Sequence, residues 1–171
     1  MIKAIAKLIV ALNGNVKKSQ IAAGLAWGVI LGLIPMFNFY WIVLFVITFL
    51  FKHNHWSKIF SMLIIKLLSP LYIFCLDGFG WQILHIEALR SFFTILYNMP
   101  FVPFTKFNNT LVMGGLAGGA LLWLPSYFIF LALVTLYRNH VAVKIRNFKI
   151  VKAIGKVPLI TKITKLISKS L

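Results

Sequence analysis

Glycine returns at every fourth position in the segment IAAGLAWGVILGLIP, at Gly24, Gly28 and Gly32, and Pro35 closes it. In a helix surrounded by water, each glycine costs about 1 kcal/mol against alanine. In a bilayer the balance changes. A helix satisfies its own backbone where no water can. Helices there associate by close packing, so small residues that let backbones approach are favoured. The stripe therefore reads as a contact seam of a membrane helix, widened by Ala22 and Ala26. The alternative is a narrow path for a solute, lined by glycine.

The rest of the chain asks for the same solvent. Of its 171 residues 61% are hydrophobic, and the mean hydropathy is +0.94. Soluble domains hold about 45–50% apolar residues, and a protein this small leaves much of its surface uncovered. Lys and Arg number 18 against two acids, Asp77 and Glu87, for a formal charge of +16. The bases fall between apolar runs and in the tail, as the positive-inside bias of membrane proteins requires. The sequence shows no polar basic face for nucleic acid. Cys75 is the single cysteine, so neither an internal disulfide nor a thiol metal cluster is available.

Residues 1–14 read as a retained interfacial amphipathic helix. Ile2, Ile5, Ile9 and Leu12 share a face, and no cleavage site follows. A membrane domain spans 15–140. It opens with a helical hairpin over 20–51, with Ser19 as the expected N-cap and Pro35 as the break. Its first arm reaches about 25 Å, close to a hydrocarbon thickness of about 30 Å. Either both arms span the bilayer or the pair is re-entrant. A helix over 57–76 follows, kinked by Pro70. Ser57, Lys58, Ser61, Lys66 and Ser69 occupy half its circumference, so it lies in the interface or turns this stripe toward partner helices. Residues 77–108 are expected as a turn, a short helix and an irregular loop.

A second hairpin is expected over 110–138. GGLAGGALLWLP echoes the opening pattern, matching Gly114 to Gly24, Gly118 to Gly28 and Pro125 to Pro35 at one common offset. An internal repeat of broken-helix hairpins is a construction of transporters and also of plain scaffolds. The tail, 141–171, ends in LITKITKLISKSL, with Leu and Ile on one face and Lys162, Lys165 and Lys169 on the other. Those lysines suit anionic lipid headgroups. The fold class expected is thus all-α: an integral membrane protein with two Gly-rich hairpins and amphipathic helices at both termini. Lys17, Lys18, Lys52, Lys58, Arg138 and the tail place both termini in the cytoplasm.

The segment Ile21, Ala22, Gly24, Ala26, Gly28, Gly32, Pro35 resembles the IAxGxAxGxxxGxxP signature of a bacterial membrane-protein family catalogued as domain of unknown function 2062. LNGN at 12–15 and GLIPMFN are similar to a small-protein branch of it, and the likeness covers roughly 12–138. Ser69-Pro70 stands where the family often carries Asn-Pro. Phe37, Asn38 and Phe39 stand where it often carries glycine and glutamine. The resemblance implies a fold and a setting in the inner membrane among envelope and surface-polysaccharide proteins, and no established activity.

Catalytic groups are scarce. His53 and His55 have no acid or cysteine beside them, and His85 with Glu87 makes half of a metal site. Neither a catalytic triad nor a phosphate-binding loop is present, so no cofactor or metal is expected. The one candidate intramembrane polar site is Lys66 with Asp77, since such groups are expensive in lipid. The milder reading has Asp77 capping a turn with Gly78, Glu87 pairing with Arg90, and Lys66 snorkelling. The expectation is a non-enzymatic scaffold or accessory of envelope metabolism, joined through its glycine seams to itself, to other membrane proteins or to a second copy. The alternative is a small transporter or flippase.

Overall fold

The computed structural model describes Leu8, Ala11, Leu12 and residues 16–141. The tail lysines Lys162, Lys165 and Lys169 lie outside the described residues, as does most of the expected interfacial helix over 1–14. Six helices are described: α1 (Lys18–Leu33), α2 (Phe39–Ile47), α3 (His55–Leu67), α4 (Ser69–Leu84), α5 (Glu87–Asn98) and α6 (Thr110–Leu136). Short 3-10 turns lie at Thr48–Leu50 and Val102–Thr105, and a wide turn at Tyr137–Val141 follows α6. Among the described residues there is no strand, so the fold is all-α.

α1 starts behind Lys17, which makes no side-chain cap, so Ser19 is not the N-cap. It stops because Pro35 pushes Ile34 into extended backbone (φ −76°, ψ 136°). Phe37 then takes a left-handed φ of 61°. Asn38 restarts the helix by accepting the Trp41 N–H at 2.7 Å. α2 and the 3-10 turn carry the chain back, and the Asn54 N–H donates to the Gln20 carbonyl at 2.9 Å. The segment 20–51 is thus a helical hairpin whose two ends meet.

Three expectations change beyond it. The helix over 57–76 is two helices, α3 and α4, bent by 84° at Leu68. Pro70 sits in the first turn of α4, where its missing N–H costs nothing. The region 77–108 is mostly helical. α4 runs on to Leu84, and in α5 the residues Glu87, Arg90, Ser91, Thr94 and Asn98 form one polar stripe. Its low hydropathy marked an amphipathic helix instead of a loop. The region 110–138 is no hairpin: α6 passes through Pro125 without a break. Pro35 is followed by Asn38, which caps a new helix, and Pro125 has no such successor. Ser126 instead turns its hydroxyl back onto the Leu122 carbonyl beside the interrupted ladder. The repeat in the sequence is therefore not a repeat of structure.

α1 is the central helix, packed against α3 on one side and α6 on the other, and α4 packs on the first half of α6. Ile21, Ala22, Ala26 and Leu31 of α1 are fully buried. α6, by contrast, leaves Leu121, Leu124, Phe128 and Ile129 more than half exposed. At the basic end Lys18 Nζ reaches Asn139 Oδ1 at 3.4 Å, and Arg138 donates to the carbonyls of Leu12 (2.9 Å) and Ala11 (2.8 Å).

Candidate functional site

The glycine stripe of α1 faces α3. A Cβ added at Gly24 would stand 3.1 Å from Ser57 Cβ, and one at Gly28 2.6 Å from Ser61 Cβ and 2.9 Å from the Met62 nitrogen. One at Gly32 would stand 2.5 Å from Ile65 Cβ. The contacts advance together, so the two helices run parallel. Ser57 and Ser61 are the small residues that answer Gly24 and Gly28, and the polar stripe of α3 faces a partner helix.

α6 presents glycine on two faces. At Gly114 a side chain would strike the Leu76 carbonyl, and at Gly80 the Thr110 carbonyl, so α4 and α6 touch backbone to backbone. A Cβ at Gly118 would stand 3.3 Å from the Leu76 side chain. Gly115 and Gly119 turn toward α1, 2.9 Å from the Leu33 oxygen and 3.2 Å from Ile30 by the same measure. Further along, the rings of Trp123 and Trp27 lie 5.6 Å apart. Both seams are filled by the chain's own helices. Ser57 and Ser61 belong to the stripe that the sequence offers to partner helices, whereas Gly80, Gly115 and Gly119 were missed from sequence. The doublets Gly114-Gly115 and Gly118-Gly119 carried the signal, because adjacent helical residues point about 100° apart.

The broken end of α1 gathers polar side chains. A helix leaves its last four carbonyls without backbone partners, and here side chains from three elements meet them. Trp41 Nε1 donates to the Leu31 carbonyl at 3.0 Å. The Tyr72 hydroxyl lies 2.8 Å from the Ile65 oxygen and 3.3 Å from the Gly32 oxygen. Lys66 Nζ donates to the Ile34 carbonyl, a cation at the negative end of the helix dipole. A cavity of about 200 Å³ opens beside them, lined by Gly32, Pro35, Lys66, Ser69 and Tyr72.

Lys66 and Asp77 are not brought together. Asp77 lies within α4, not at a turn with Gly78, and accepts a hydrogen bond from the Thr110 hydroxyl on α6. Among the described residues no three His, Cys, Asp or Glu are grouped to hold a metal.

A second polar core was missed. Lys58 is 0% exposed. Its Nζ donates to Thr48 Oγ1 at 2.6 Å and stands over the rings of Phe45 (4.6 Å) and Phe49 (4.3 Å). Lys58 thus ties α3 to the returning arm of the hairpin. Next to it, burial pushes His53 down to a pKa of about 4, assisted by the charges of His55 and Lys58. The sequence put Lys58 on the polar stripe of 57–69 but gave no sign of the aromatic arm that covers it.

The fold defines an all-helical protein with at least one helix of membrane-crossing length and character, the 31 residues of Thr110–His140. The bent pair α3–α4 meets the same measure when its halves are taken together. The chain belongs to the family described as an uncharacterized protein conserved in bacteria (DUF2062), whose model matches residues 4–142. It is 30% identical over 159 residues to an uncharacterized protein of Treponema pallidum (strain Nichols), covering 93% of this chain and 98% of that relative. No solved structure matches it.

Proposed function

We propose that the protein is a non-enzymatic, multi-pass integral protein of the bacterial inner membrane and a small carrier for amphiphiles of the cell envelope, working as a transporter or flippase. The observation that carries this reading is the interrupted helix α1, whose terminal carbonyls are met by Trp41, Tyr72 and Lys66. Discontinuous helices whose ends gather polar groups are how carriers build their sites, and such groups are costly in a membrane protein unless they serve function. A scaffold that joined partners through its glycine seams would need those seams free. Here α3, α4 and α1 itself occupy them. The exposed apolar faces of α2 and α6 suit lipid tails. The basic end, with Lys18, Lys52 and Arg138, suits the cytoplasmic surface.

The test is lipid translocation in proteoliposomes carrying a fluorescent phosphatidylglycerol in both leaflets. An impermeant reductant bleaches only the outer leaflet of protein-free vesicles. With the protein present the inner pool is expected to bleach as well, and Lys66→Met is expected to slow it at least tenfold. Bleaching that stops at the outer leaflet with folded protein overturns the carrier reading.

A further inference from the structure

Three non-glycine residues among those described hold left-handed backbone: Phe37 (φ 61°), Phe101 (φ 69°) and Lys106 (φ 58°). None of the described glycines does, so the chain uses glycine for its missing side chain and puts its strained backbone elsewhere. A bulky residue at positive φ is a conformational outlier. Such strain costs about 1–3 kcal/mol per residue and persists only where surrounding structure enforces it, commonly at ligand sites.

All three residues border two neighbouring hollows that share lining side chains. The first, about 350 Å³, lies between the turn Pro35–Asn38 and the segment that leads into α6, and Phe37, Asn38, Lys106 and Asn109 line it. The second, about 620 Å³, is an almost wholly apolar groove lined by Phe39, Tyr40, Leu96, Phe101 and Phe104. Phe39 and Phe104 line both. Volumes of this order hold small-molecule ligands. A hydrogen bond of 3.1 Å between Tyr40 and Thr105 fixes the groove wall.

The polar hollow is built to favour negative charge. Lys106 brings a cation. Asn38 and Asn109 cap α2 and α6 through their Oδ1 atoms, so the positive ends of two helix dipoles sit at its wall. Asn38 Nδ2 is a buried donor with no partner among the described residues, and such a group is expensive to leave unmet.

We propose that this double hollow binds an anionic phospholipid, with its phosphate at Lys106, Asn38 and Asn109 and an acyl chain in the groove of Phe39, Phe101 and Phe104. Charge selects the head, and the neighbouring apolar groove, which shares Phe39 and Phe104 with the polar hollow, selects an amphiphile over a free anion. The assignment rests on the bilayer placement proposed above. It goes beyond the carrier reading by assigning a lipid site apart from the Lys66 end of α1.

The experiment measures lipid retention on the full chain by native mass spectrometry, after incubation in detergent with phosphatidylglycerol, with phosphatidylcholine, or with phosphatidylglycerol plus millimolar inorganic phosphate. Lys106→Asn removes the charge and keeps a residue that tolerates left-handed backbone. Phe104→Ser shortens the groove at a side chain that is 83% exposed. Both leave the helical core untouched. Selective retention of phosphatidylglycerol is expected, falling at least fivefold in each variant and unchanged in Lys52→Ala at the other end. Equal retention in wild type and variants, equal loss in Lys52→Ala, or full displacement by inorganic phosphate overturns the site. Selective retention without translocation leaves the site and removes the carrier. Translocation without selective retention does the reverse.

Discussion

Lys66 Nζ, on α3, donates to the carbonyl of Ile34 at the point where Pro35 ends α1. Ile34 lies just past the end of α1, which runs parallel to α3, and the bond closes a helix end that has lost its backbone partners. Replacing Lys66 by Met keeps most of the stem and leaves that carbonyl unmet. The expected loss is about 1–3 kcal/mol of stability, measured by thermal or denaturant unfolding in detergent. Unchanged stability would show that Lys66 contributes nothing to the closure of α1.

Glycine positions separate into two kinds. At Gly80 and Gly114 an added methyl meets backbone of the opposing helix, and at Gly28 it meets α3. At Gly78 it meets nothing within 4 Å. Gly28→Ala and Gly114→Ala are expected to lose about 1–3 kcal/mol or more through overpacking. Gly78→Ala is expected to gain up to about 1 kcal/mol through helix propensity. A melting series in detergent checks the contrast, and equal effects at Gly78 and Gly114 would contradict the packing described.

The parts of this fold that were legible in sequence are those with a local cause. Pro35 with Asn38 marks a break and a restart within four residues, so the first hairpin could be read. The glycine stripe showed that something approaches α1 closely, but a stripe does not name what fills it. Ser57 and Ser61 lie about thirty residues away, and only the fold places them there. Pro125 was misread because a proline breaks a helix only when the following residues offer an alternative. Phe37, Phe101 and Lys106 were beyond reach because nothing in a phenylalanine or lysine announces left-handed backbone. Lys58 was seen as one more member of a polar stripe, since its cover comes from α2 and the Thr48 turn.

Acid should loosen the base of the hairpin. His53 Nδ1 lies 3.0 Å from the Phe51 carbonyl, which leaves Nε2 buried without a partner among the described residues. Protonation would place a charge there beside His55 and Lys58, and the folded pKa is about 4 against 6.5 for an ordinary histidine. Between those values the unfolded chain binds more protons than the folded one, so stability rises with pH. It is lost progressively as pH falls from about 6.5 to about 4 and is level above that range. Unfolding measured across pH 4–7 is expected to show this slope, and His53→Gln is expected to reduce it, leaving the part due to His55, which burial also lowers. An unchanged slope in the variant would assign it to other groups.

The hairpin tip lies level with the start of α6, because Pro35–Asn38 and Asn109, Leu111 and Val112 face the same hollow. The opposite ends meet as well, through Lys18 with Asn139 and Asn54 with Gln20. A 31-residue helix is about 46 Å long, more than enough to cross a hydrocarbon core of about 30 Å. If α6 crosses, the tip of the α1–α2 hairpin reaches the far side with it. Cys75 is the single cysteine, so a Cys75→Ser background allows one reporter thiol at a time. Phe37→Cys, at a side chain that is 80% exposed, and Lys106→Cys are expected to react with an impermeant thiol reagent from outside the cell. Lys52→Cys and Asn139→Cys are expected to react only from the cytoplasmic side, in inverted vesicles. Protection of Phe37→Cys from both sides, with Lys106→Cys still labelled from outside, would place the tip within the bilayer as a re-entrant turn.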